Sequence, residues 1–171
     1  MAVSPRIHGR LAAVVLAALA LGAPAQAATR TGDRQARATA AATALVGAIN
    51  QVRVAHGLHP LRSSTQLAAA ATGHDREMGA RGYFAHTAAN GATLMARVPG
   101  RWSSLGENLV WSTPGATPAQ LVATWMASPL HRANLLSPAW SRIGLDAETF
   151  AHAPGYYAGR TVEIVTADFG S

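Results

Sequence analysis

Trp125-Met126-Ala127-Ser128-Pro129-Leu130-His131-Arg132-Ala133-Asn134-Leu135-Leu136 is the stretch that decides how this chain folds. It joins two short helices through one dipeptide. Leu121, Val122, Trp125 and Met126 recur at helical spacing. Before them, Thr117-Pro118-Ala119-Gln120 supplies an N-cap Thr, a Pro at the first helical position and a Gln that completes a capping box. Ser128-Pro129 stops that helix and opens the next, from Pro129 to about Leu136, with His131 in its first turn. There the positive end of the helix dipole favours the neutral imidazole.

On either side of this stretch, two further strings carry chemistry: Gly82-Tyr83-Phe84-Ala85-His86 and Gly106-Glu107-Asn108. Leu105 to Ser112, apolar and bounded by small residues, reads as a strand or extended segment bearing Glu107. Gly82, Asn90-Gly91 and Pro99-Gly100 leave His86 in an irregular segment just past a helix end. Two imidazoles and a carboxylate from separate elements are ligand types of a borderline divalent cation, with positions left open for water or substrate. His86, Glu107 and His131 are therefore the candidate metal residues.

From about Thr39 to Ala55, Leu45, Ile49 and Val52 mark a first helix, and Gly57 stands where a left-handed cap is needed. Ser63 and Gln66 read as a capping box ahead of a second helix with the stripe Leu67, Ala70, Ala71, His74 and Met78. A His on such a stripe reads as a core residue donating to a carbonyl. Arg142 to Glu148, with Ile143, Leu145 and Ala147 on one side, and Thr161 to Phe169 read as strands around a turn at Ala153-Pro154-Gly155. Trp111, Trp125 and Trp140 read as core. Helices flanking short strands give an α+β sandwich, with helices covering an antiparallel sheet.

At the start of the chain, Arg6 and Arg10 precede the apolar run Leu11 to Gly22, and Ala25-Gln26-Ala27 offers the small residues that a signal peptidase reads. Residues 1–27 are thus expected to be a cleaved secretory signal peptide, 28–38 a flexible leader and 39–171 the folded domain. The apolar run is too short to span a bilayer, which implies a secreted product without a membrane span after cleavage. Fourteen Arg and no Lys stand against eight acidic residues, a formal +6, or +4 without Arg6 and Arg10. These Arg are scattered, which gives no nucleic-acid footprint and leaves a mild attraction to anionic envelope polymers. Without cysteine there is no disulfide, no thiol nucleophile and no lipid-modified Cys, so one core must hold the domain.

In order along the chain, Asn50-Gln51-Val52-Arg53 with Gly57-Leu58-His59-Pro60-Leu61, Gly73-His74-Asp75-Arg76-Glu77-Met78, Tyr83-Phe84-Ala85-His86, Gly106-Glu107-Asn108, Trp125 through Leu136, Ile143-Gly144-Leu145 and Asp168-Phe169-Gly170 carry a resemblance. The sequence resembles the CAP superfamily (cysteine-rich secretory protein, antigen 5 and pathogenesis-related 1; the SCP domain), in an exported bacterial form without cysteine. The resemblance spans essentially the whole domain. It implies a three-layer α-β-α sandwich with a central antiparallel sheet and a cleft where two His and two Glu hold a divalent cation, often zinc. His86, Glu107 and His131 match three of those four. Ser128 stands where the second Glu would be, three residues after Trp125, and Leu130 replaces the Gly before the His-Arg pair. Ser128, His74, Asn108 and Asn134 are then cleft-supporting residues, the two Asn as hydrogen-bonders. Superfamily members that bind sterols and fatty acids make a lipid a ligand by analogy.

Neither His-Glu-x-x-His nor Gly-x-Ser-x-Gly occurs, and Pro129 makes Ser128 a helix cap rather than a nucleophile. The expectation is a secreted binding domain, with no assigned catalytic residue, that holds a divalent cation and an extracellular or envelope ligand, a lipid or a cell-wall polymer. Two alternatives stand beside it. One is a metal-assisted hydrolase of peptide or cell-wall substrates. The other is a structural envelope protein with an unoccupied cleft.

Overall fold

The computed structural model describes residues 23–171. The chain runs α1 (Ala23–Ala55), β1 (Arg62–Ser63), α2 (Thr65–Arg81), α3 (Leu94–Arg97), β2 (Leu105–Ser112), α4 (Pro118–Ala127), α5 (Pro129–Leu135), β3 (Arg142–Ala153) and β4 (Arg160–Gly170). A 3-10 turn at Gly155–Tyr157 joins the last two strands.

The four strands lie in the order β1-β3-β4-β2. β3 and β2 both pair antiparallel with β4, while β1 pairs parallel with β3. The central sheet is antiparallel as expected, and the two-residue β1 adds one parallel pairing that makes it mixed: Arg62 and Ser63 reach Arg142 and Ile143 directly after the turn that succeeds α1. This pairing also shifts the cap of α2. Ser63 is drawn into the strand, and Ser64 becomes the N-cap, its hydroxyl accepting from the Leu67 amide.

Alternation sorts the sheet into two unlike faces. On one, Ile143, Leu145, Ala147, Val165, Ala167 and Phe169 meet Leu45 and Ile49 of α1, Leu121, Val122 and Trp125 of α4, and Leu135 of α5. Each fully buried Val, Leu, Ile or Phe among them contributes roughly 1.5–3 kcal/mol, and this is the larger apolar layer. The other face, under α2, is apolar near the β3–β4 turn, where Met78, Leu109, Tyr157, Val162 and Ile164 pack. Toward the opposite end it turns polar, with Glu107, Asp168, Thr166 and Asp146 buried.

α2 sits very close to β3. A Cβ on Gly144 would lie 2.0 Å from the Ala68 amide nitrogen, so only glycine lets helix and strand approach this far. α1 begins well before Thr39. Residues 28–38, expected as a leader without regular structure, are helical, because once Leu45 and Ile49 have fixed the helix on the sheet, its extension through Ala- and Arg-containing sequence needs no new nucleation. The signal-peptide reading falls mainly on residues 1–22, outside those described.

Two side chains of α1 anchor segments distant from it. Asn50 donates to the Leu61 carbonyl at 3.0 Å and accepts from the Leu61 amide at 2.8 Å, which sets the approach to β1. Arg53, buried, donates to the carbonyls of Leu135 at 2.7 Å, Ser137 at 3.0 Å and His59 at 3.1 Å. It thereby holds the C-terminal end of α5, the helix that carries His131.

Candidate cleft around His86, Glu107 and His131

The chain leaves α2 at Gly82, which takes φ 69° and closes the helix by donating to the Met78 carbonyl. A Cβ there would meet the Pro154 carbonyl oxygen at 2.5 Å, so this cap is also where the β3–β4 turn docks. Tyr83 to His86 then run as an irregular segment back along α2. His74 holds that segment: its Nε2–H donates to the Ala85 carbonyl at 2.8 Å, as its place on the apolar stripe suggested. Burial, and after it the Arg97 charge, lowers the His74 pKa, so the ring is neutral.

His86 thereby reaches Glu107. Its Nδ1–H donates to Glu107 Oε1 at 2.8 Å, while Arg97 Nη2 donates to Glu107 Oε2 at 2.5 Å and to the His86 carbonyl at 3.2 Å. The Glu107 side chain is only 3% exposed, the His86 ring 62%. Burial alone would raise the Glu107 carboxyl; the hydrogen bonds from His86 and Arg97 outweigh it and hold the group below its usual range. His86 moves up, because its hydrogen bond to Glu107 favours the imidazolium.

His131 comes from the other side. β2 is an edge strand, and α4 and α5 cover its free edge: Trp125 Nε1 donates to the Leu109 carbonyl at 3.2 Å and Asn134 Nδ2 to the Glu107 carbonyl at 3.1 Å. Asn134 also donates to Asn108 Oδ1 at 2.9 Å, and Asn108 Nδ2 donates to the His131 carbonyl at 3.0 Å. Both Asn thus act as the hydrogen-bonders expected, tying α5 to the strand that carries Glu107. Trp140 closes the arrangement by donating to the Asn134 carbonyl at 3.0 Å. The pKa of His131 is lowered, as expected from its position in a first turn, but the causes are burial and the neighbouring charge of His86. Ser128 caps α5 through its backbone alone, its side chain making no cap hydrogen bond.

Glu107 therefore stands behind His86, both of its oxygens engaged. Among the described residues, no three His, Asp or Glu side chains stand together in a group that could hold a metal ion. What the fold presents is one outward imidazole braced by a buried carboxylate, with a second imidazole close enough to feel its charge.

Two charged residues of this region escape a reading of the sequence alone. Arg97 lies in a four-residue helix that has no periodicity to reveal it. Asp168, opposite Glu107 in the β2–β4 ladder, is fully buried, and neither of its carboxyl oxygens has a hydrogen-bond donor among the described residues. Burial, and then the charge of Glu107, pushes Asp168 well above the carboxylate range, so it is a neutral acid. Asp75 on α2 is neutral for like reasons, burial first and Asp146 second, while its Oδ1 accepts from the Thr166 hydroxyl.

Comparison with known proteins then decides the family. The family model described as CAP, the cysteine-rich secretory protein family, matches residues 46–166, which include every residue of the cleft except Asp168. The chain belongs to the CAP family. It does so without a single cysteine. It is 30% identical over 99 residues to YkwD, an uncharacterized protein of Bacillus subtilis (strain 168), a match covering 56% of this CAP protein and 38% of YkwD. An outer surface protein of Borrelia burgdorferi has the same fold, with a TM-score of 0.64 at 22% identity over 74% of this chain and 89% of that one. So does an extracellular protein with an SCP domain from Bacillus anthracis, with a TM-score of 0.64 at 23% identity over 81% and 43%. This chain thus spans less than half of YkwD and of the B. anthracis protein. Among the described residues, no helix is long and apolar enough to cross a membrane.

Proposed function

We propose that this CAP protein is an extracellular binding domain whose cleft takes a borderline divalent cation on the imidazoles of His86 and His131. The observation that carries this reading is the 2.8 Å contact from His86 Nδ1 to Glu107 Oε1. A carboxylate on Nδ1–H fixes the tautomer, leaves the Nε2 lone pair for a metal and raises the basicity of the ring, the arrangement that supports histidine ligands in metal sites. His131 complements it, since its lowered pKa keeps its ring neutral and its nitrogens have no partner among the described residues. Glu107 acts here as the orienting group. The same engagement of both its oxygens argues against its serving as the free base that a hydrolase would need.

Two exposed apolar side chains on the elements of this site favour an apolar envelope ligand beside the cation, a lipid. Leu130, next to His131, is 81% exposed, and Met95, on the helix of Arg97, is 53% exposed. Both are large apolar side chains on the short helices that supply the cleft.

Zinc titration by calorimetry tests the site. Binding is expected in the parent chain, lost in both His86→Ala and His131→Ala with the fold retained, and weakened as pH falls through about 6.5. Unchanged binding in either variant overturns the two-imidazole site. A fluorescent fatty acid that binds the parent and the Leu130→Gly variant equally would remove the rim from the reading.

A further inference from the structure

The turn between β3 and β4 carries an aromatic surface for which the cleft has no use. Tyr156 is 56% exposed. It nevertheless stands in a fixed place: its amide donates to the Gly82 carbonyl at 2.8 Å, and its ring stacks on Phe84 with centroids 5.9 Å apart at 22°. Trp111 of β2 meets Tyr156 edge-on at 6.1 Å and 88°. Beneath them the fully buried Tyr157 abuts both Trp111, at 5.7 Å, and Tyr156, at 5.6 Å, and its hydroxyl donates to the Tyr83 carbonyl at 2.9 Å.

Arg160 borders the rings. Its Cζ lies 5.0 Å from the Trp111 centroid, and its Nε donates to the Tyr157 carbonyl at 2.8 Å. The guanidinium is thus positioned over an aromatic face, yet it pairs with no carboxylate among the described residues. An exposed tyrosine ring locked by a buried one, next to a guanidinium whose remaining N–H groups are unengaged among the described residues, is a preorganised surface. Its two chemistries select one kind of partner. A ring with an apolar C–H face packs on aromatic faces, and a carboxylate on that ring accepts from the guanidinium in a bidentate, charge-assisted way. A lipid tail would instead ask for an apolar trough without a cation at its edge.

We propose that Tyr156, Phe84, Trp111 and Arg160 form a binding platform for an acidic polysaccharide, one built from carboxylated sugar rings. Charge complementarity favours this occupant, since Arg160 stands at the edge of the rings with no carboxylate partner among the described residues. The platform is separate from the cation site but neighbours it, Phe84 lying two residues before His86 and Trp111 four residues after Glu107 along the same side of β2.

Tetragalacturonate serves as the carboxylated probe and chitotetraose as the neutral one, each titrated into the parent chain by calorimetry and by amide NMR. Tetragalacturonate is expected to bind at millimolar concentration or below and to shift the amides of 82–86, 111 and 155–160. Tyr156→Ala and Arg160→Gln should each weaken it about tenfold, the scale of one aromatic or charge-assisted contact. Zinc binding by Tyr156→Ala should match the parent, which separates this platform from the cleft. No binding of tetragalacturonate, amide shifts elsewhere on the molecule, equal binding by both variants, or chitotetraose binding as tightly as tetragalacturonate each overturns the proposal.

Discussion

Glu107 and Asp168 face each other across the β2–β4 ladder and hold opposite protonation states, Glu107 kept ionised by His86 and Arg97, Asp168 kept neutral by burial beside that charge. The pair therefore carries one negative charge. A neutral amide in place of Asp168 keeps shape and charge alike, so Asp168→Asn should cost little at acidic pH. A carboxyl whose folded pKa is raised stabilises fully below its unfolded value of about 4, and that contribution is lost as pH rises toward the folded value, at roughly 1.4 kcal/mol per pH unit for each proton. Urea unfolding across a pH series should show the parent losing stability from about pH 5 upward and Asp168→Asn losing less. Asp75→Asn should flatten the curve further, because Asp75 is raised in the same sense. Parallel curves for parent and variants would show that neither acid is held protonated.

Arg97 supplies the compensating charge. Arg97→Met leaves Glu107 ionised and buried beside Asp168 with His86 as its remaining donor, and removing one partner of a buried pair costs on the order of 3 kcal/mol. Adding Glu107→Gln removes the stranded charge and should recover part of the loss. A double-mutant cycle of unfolding free energies measures this directly, and a single-variant loss below about 1 kcal/mol would mean that the ion pair does not hold the cleft together.

How much of this was legible depended on whether the signal was local. Thr117, Pro118 and Gln120 fixed the start of α4, and its capping box is present in both directions. The bounds of β2 and the buried stripe of α2 likewise arise from residues adjacent in sequence or one turn apart. His86 and Glu107 were brought to one site by their residue types and by resemblance, as ligands of one cation, while their direct hydrogen bond follows from no periodicity. Asp75, Asp146 and Asp168 were opaque because a carboxylate in a strand or helix reads as solvated until register is known. Only the pairings Glu107–Asp168 and Asp146–Thr166 put these acids in adjacent rows under α2. Arg97 was hidden for a simpler reason: in a four-residue helix, an arginine has the appearance of any surface residue.

Arg53 links α1 to the end of α5, so its removal should be felt at His131 although no cleft residue is replaced. Arg53→Met keeps much of the buried stem but leaves the Leu135, Ser137 and His59 carbonyls without their donor. The expected loss is about 2–3 kcal/mol of stability, from buried acceptors left unsatisfied. Hydrogen exchange should show α5 amides losing more protection than those of β4. A uniform loss across both would mean that Arg53 supports the core as a whole rather than this helix.

Ser128 offers the last test, because its side chain is free to be replaced. It caps α5 without a side-chain hydrogen bond, so Ser128→Glu forfeits no cap, and a negative charge at a helix start is favoured by about 0.3–1 kcal/mol. Ser128 and His131 are three residues apart at that start, a spacing that brings side chains to one side of a helix. If a cation sits on the two imidazoles, the new carboxylate adds a third donor of a type that zinc accepts. Ser128→Glu should then fold like the parent and bind zinc about tenfold more tightly, while Ser128→Gln, matched in size but uncharged, should gain little. Equal zinc affinity in the Glu and Gln variants would mean that position 128 stands outside the reach of the cation, and the gain must disappear in His131→Ala if it arises at this site.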